Sequence, residues 1–77
     1  METTTCDIYA VYERETRAGT KFDVFPRVPT DSLMAPVFST FDAHAAAQCR
    51  RAQEQRRPVT LTWQETRYGR EIVTVQA

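Results

Sequence analysis

The sequence predicts a mainly β fold of five strands, with one α-helix between the third and the fourth. Three observations carry that expectation. Only one stretch, Ala43 to Arg57, is a continuous run of helix formers, and Pro58 stops it. The remainder is divided into short β-branched and aromatic runs, of which Val59 to Thr66 alternates cleanly, with Val59, Leu61 and Trp63 on one side and Thr60, Thr62 and Gln64 on the other. The apolar inventory is also wrong for a helical bundle: 42% of the 77 residues are hydrophobic, but nine of these are Ala and only four are Leu or Ile. Val and aromatic side chains must therefore build the core. The chain reads as one domain, residues 1–77, burying only about 60–65% of its unfolded surface.

Residues 1–5 are polar, have neither a basic start nor an apolar stretch, and read as an unstructured lead-in to a core of residues 6–76. No secretory signal is visible and no apolar run approaches about 18 residues. The expectation is a cytoplasmic protein with no membrane partner. Cys6 to Arg14 is rich in β-branched and aromatic residues and predicts strand one. Glu15 to Thr20 is polar, contains Gly19 and predicts a turn. Lys21 to Arg27 alternates again as strand two. Val28 to Pro36, with two prolines and a Thr-Asp-Ser cluster, reads as an irregular connection. Val37 to Phe41 suits a short third strand.

Thr40 or Asp42 can cap the helix that follows, and Phe41, Ala45, Cys49 and Ala52 recur at its spacing as a narrow apolar stripe. A stripe of small residues lets the helix lie close on its support. In strand four, Val59, Leu61 and Trp63 share the core side. Arg67 to Arg70 is a hairpin loop around Gly69, and Glu71 to Val75 closes the chain as strand five. Tyr9 and Tyr12 fall on opposite sides of strand one, so one is expected inside and one outside. No internal repeat is apparent.

Ten basic residues balance ten acidic ones, which leaves no bulk attraction for nucleic acid. Nine of the ten cations are Arg, a bias that GC-rich coding also produces, so position matters more than number. Cys6, Cys49 and the single His44 are too scattered for a zinc-type ligand set, and His44 and Cys49 are five residues apart on a helix, where side chains diverge. The two glycines are far apart, which excludes a phosphate-cradling loop. Glu65 and Glu71 flank a hairpin as a surface ladder would. No nucleophile–base–orienter set is present. The expectation is no catalytic residue, no metal and no cofactor.

Glu15-Thr16-Arg17-Ala18-Gly19-Thr20-Lys21-Phe22, Phe38-Ser39-Thr40-Phe41-Asp42, and Pro58 to Trp63 with Tyr68-Gly69-Arg70 resemble, in order, the first hairpin, the third strand and the closing hairpin of OB-fold nucleic-acid-binding domains. The resemblance covers residues 7 to 76 at the level of the fold. It implies a five-stranded, partly open Greek-key barrel that binds its ligand across strands two and three and the flanking hairpin loops. The long Val28–Pro36 connection departs from a tight turn there and would cover or extend that face. A four-stranded antiparallel sheet backed by one helix is the competing architecture, if Val37 to Phe41 is only loop.

With Phe22 and Val24 inward, Asp23, Phe25 and Arg27 point outward. With Val37, Ser39 and Phe41 inward, Phe38 joins Phe25 as an exposed aromatic pair. The loops add Arg17 and Lys21 on one side, and Arg67, Tyr68 and Arg70 on the other. Aromatic faces and cations are the parts of a site for single-stranded DNA or RNA. The same face would equally serve a protein partner or a second copy of the chain. Phe25 and Phe38 packed beneath the Val28–Pro36 connection is the alternative. A one-residue slip in register reverses the whole assignment.

Overall fold

The computed structural model describes residues 1–27 and 37–76; the Val28–Pro36 connection, and with it the expectation that it covers or extends a ligand face, lies outside them. Six strands and one helix follow one another as β1 (Glu2–Cys6), β2 (Ile8–Thr16), β3 (Gly19–Pro26), β4 (Phe38–Thr40), α1 (Ala43–Gln55), β5 (Val59–Thr66) and β6 (Gly69–Gln76). The fold is mainly β. Its strands form one mixed sheet in the order β1-β5-β6-β4-β3-β2, in which β4 and β6 run parallel and every other pair is antiparallel. Five strands was one too few, and the four-stranded antiparallel alternative is overturned by the extra strands and the parallel pair. No helix among the described residues is long and apolar enough to cross a membrane.

The additional strand comes from the expected lead-in. Thr3, Thr4 and Thr5 are polar but β-branched, a side chain suited to extended backbone. They pair with Thr62, Leu61 and Thr60 of β5. The hydroxyls of Thr5 and Thr60 share a hydrogen bond of 2.9 Å, and the Trp63 indole N–H donates to Thr4 Oγ1 at 2.9 Å. Asp7 alone separates β1 from β2, yet these two strands occupy opposite ends of the sheet order. One chain segment thus supplies both edges.

Val24, Phe38, Val59, Leu61, Trp63 and Ile72 form the core with Ile8, and α1 adds Cys49 and Ala52. The helix packs mainly on β2 through its buried Ala45, Ala46, Cys49 and Ala52. Asp42 caps it as expected, accepting from the His44 backbone N–H at 2.9 Å. The helix ends two residues before the expected Arg57, because Arg56 adopts left-handed backbone at φ 53°. Trp63 lies in the core, as its alternation indicates.

Two assignments along the strands are reversed. Tyr9 and Tyr12 are both exposed, since a bulge between Ile8 and Ala10 takes up one residue and returns the next outward position to Ala10, Tyr12 and Arg14. In β4 the slip is complete. Phe38 is only 1% exposed and Thr40 is buried, while Val37 and Phe41 are open. β4 pairs with β3 through Val24↔Phe38 and Phe22↔Thr40, so Phe38 joins the side of the sheet that Phe22 and Val24 bury.

Candidate nucleic-acid interface

The β2–β3 and β5–β6 turns share one local sequence, Thr-Arg-Xaa-Gly, at Thr16–Gly19 and Thr66–Gly69. In each, the threonine hydroxyl accepts from the backbone N–H two residues on, at 3.1 Å, and donates to the glycine carbonyl, at 2.7 Å in one and 3.4 Å in the other. The glycines sit at φ 117° and 105°, where a side chain is strained whatever space surrounds it. A repeated device therefore fixes both tips, and the tips carry Arg17 and Arg67-Tyr68.

On β3, Phe22, Val24 and Pro26 are buried inward, which leaves Lys21, Asp23 and Phe25 on the outer side. Lys21 is nonetheless only 7% exposed. Two rings lie close to its ammonium: Nζ is 5.6 Å from the centroid of Phe41 and 5.9 Å from that of Tyr68. Phe41 comes from the residue between β4 and the helix cap, and it extends the Phe22↔Thr40 register by one position to stand beside Lys21. Both rings remain accessible, 45% for Phe41 and 62% for Tyr68. Arg67 stacks on Tyr68 at 5.0 Å and donates to its hydroxyl at 2.9 Å, holding the ring in place.

Lys21, Phe41 and Tyr68 border a hollow of about 590 Å³, within the size range of small-ligand clefts, with Arg14, Arg17 and Glu71 also on its walls. Arg14 pairs with Asp23 at 2.9 Å, so these two charges offset each other. Among the described residues Lys21 forms no ion pair. Glu71 is the one acidic residue among those described that shares the wall with Lys21 and Arg17. A second aromatic contact lies farther along the same outer face, where Tyr12 and Phe25 meet edge to face at 5.4 Å and 77°.

The expected site residues divide accordingly. Arg17, Lys21, Arg67 and Tyr68 are brought together. Phe25 is half-buried against Tyr12 and separate from them. Phe38 is removed from the surface, standing edge-on to Trp63 in the core at 5.5 Å. The Arg70 guanidinium lies 5.2 Å over the Trp63 ring, and Arg27 lies beyond the far end of β3, its N–H donating to the Asp7 carbonyl at 2.7 Å. Phe41 and Arg14 are the residues that strand alternation overlooks. The doubled Thr-Arg-Xaa-Gly turn is the signal in the sequence that marks the correct end of the sheet.

Burial, with Cys6 as a second cause, pushes the Cys49 thiol up to about 11; burial and then Asp7 raise Cys6. Both thiols stay protonated at neutral pH, a state that neither attacks carbon nor binds metal. Among the described residues no three His, Cys, Asp or Glu side chains converge as metal ligands. No protein-family model, curated protein or solved structure matches the chain.

Proposed function

We propose that the chain is an OB-like module that binds single-stranded nucleic acid without cleaving it, at the hollow between its two Thr-Arg-Xaa-Gly turns. The observation that carries this reading is the Lys21 ammonium 5.6 Å from the Phe41 ring and 5.9 Å from the Tyr68 ring, two aromatic side chains that stay accessible at the surface. A phosphodiester is a fit for the cation, and adjacent bases are a fit for the rings. Stacking contributes about 1–3 kcal/mol per base and is indifferent to sequence. The connectivity supports the same reading, since a first segment that serves both edges of the sheet across Asp7 is what a partly open barrel needs. The ligand face of such a barrel lies where β3, β4 and the two hairpin tips meet.

The test is a titration of the isotope-labelled chain with oligo-dT at low and moderate salt. Shifts centred on Arg17, Lys21, Phe41 and Tyr68 support the proposal. Contact with three or four phosphates gives a log–log salt slope of about −2 to −3. A protein-interaction surface or homo-oligomer on this face is the alternative. It predicts no oligonucleotide shifts and a dimer-sized sedimentation coefficient at the same protein concentration.

A further inference from the structure

We propose that the cavity between the end of α1 and the Asp7 break binds a phosphate-bearing anion through Arg27, Arg56 and Arg57. The cavity measures about 340 Å³, and its floor includes the buried Ile8 and Ala52. Three arginines, Arg27, Arg56 and Arg57, and one acidic residue, Asp7, are among the residues that line it. Among the described residues none of the four forms an ion pair within it. The Gln53 amide is already engaged, donating to the Tyr9 carbonyl at 2.8 Å. Among the described residues the lining therefore holds three arginines against one carboxylate, and the guanidinium is the planar fork that matches phosphate oxygens two at a time.

Two features separate this from an ordinary basic helix end. Cations near the last turn complement exposed carbonyls, and that accounts for Arg56 and Arg57 alone. Arg27 arrives from a different element, after β3, and completes the set. Arg56 also holds φ 53° and ψ 46°, the one positive φ outside glycine among the described residues. Glycine is the residue at ease there, so the chain accepts local strain at one of the three arginines that line the cavity. Lys21 lies in β3 and Arg27 just past its end, six residues on and about 20 Å at strand rise, so this site is distinct from the hollow and independent of its ligand.

The full-length chain provides the test. The side-chain Nε–Hε signals of Arg27, Arg56 and Arg57 are followed by NMR during titration with inorganic phosphate, against chloride at matched ionic strength. Saturable shifts in all three, absent with chloride, are expected. Arg56→Gly relieves the backbone and so keeps the fold, with an unchanged or higher Tm, while phosphate affinity falls by about fivefold or more. Asp7→Asn removes the opposing charge and tightens binding. Linear, chloride-like shifts, or an Arg56→Gly variant of unaltered affinity, overturn the site. A 5′-phosphorylated dithymidine distinguishes the sources: tighter saturation than phosphate assigns a nucleotide end, and equal or weaker saturation assigns free phosphate.

Discussion

Phe38 stands edge-on to Trp63, ring centroids 5.5 Å apart at 62°, and this contact decides which side of the sheet is closed. The three-residue strand β4 has room for little else, so the orientation of Phe38 fixes that of its neighbours. Phe41, three residues on, is left at the open hollow. Phe38→Ala should cost about 3–5 kcal/mol in urea unfolding, as for other buried Phe truncations. Phe25→Ala, half-buried at the surface, should cost clearly less. Equal losses would place both rings in the core.

Trp63 is held from a second direction by β1. Its indole N–H donates to Thr4 Oγ1 at 2.9 Å. Thr4→Val keeps the β-branched shape and removes the acceptor, leaving a half-buried donor unsatisfied. The expected loss is about 1–2 kcal/mol, with a change in Trp63 fluorescence in the folded state. A variant as stable as the parent, with unaltered emission, would mean that β1 contributes no hold on the indole.

How much of this is readable from residues alone depends on how strongly each segment repeats its period. Val59 to Gln64 alternates over six residues, and the strand runs from Val59 to Thr66, the limits expected for it. Asp42 and the Ala-rich run specify the helix start because capping is a local interaction. β4 has only three residues, too few for a period of two to declare its phase, and the wrong phase exchanged Phe38 for Phe41. The Tyr9 bulge is likewise invisible to alternation, since it shifts phase without altering composition. Thr3 to Thr5 carry conflicting signals, since their polarity points to a loose segment and their β-branching to a strand. The loop-borne half of the site, Arg17, Arg67 and Tyr68, is legible since turn chemistry places it; the strand-borne half depended on phase.

The Cys49 thiol links burial to alkaline stability. Its folded pKa of about 11 stands above its ordinary value of 9.0. Between these values the unfolded chain releases the proton and the folded chain keeps it, so stability is intact below pH 9 and falls as pH rises toward 11. The difference amounts to roughly 2 kcal/mol at the upper end. Tyr, Lys and other groups titrate there too, so the comparison is with Cys49→Ala. That variant should be less stable at neutral pH but show a shallower decline from pH 9 to 11. Parallel curves would detach the alkaline loss from Cys49.

The hollow makes a graded prediction for oligonucleotide binding, because its groups act through different physics. Lys21→Met removes the ammonium and keeps the aliphatic stem between the rings, so affinity should fall while the magnitude of the salt slope drops by about 0.7, the share of one single-strand phosphate. Phe41→Ala removes a stacking face: affinity should fall by about 1–3 kcal/mol with the salt slope unchanged. Phe41 is 45% exposed, so the stability cost should stay below that of Phe38→Ala. Phe25→Ala, at the separate Tyr12 contact, should affect longer oligomers more than a dinucleotide, which reaches only the hollow. Fluorescence anisotropy across oligomer length and salt measures all three. A Lys21→Met slope equal to the parent's, or Phe25→Ala outweighing Phe41→Ala on the dinucleotide, would place the bound strand somewhere other than between Phe41 and Tyr68.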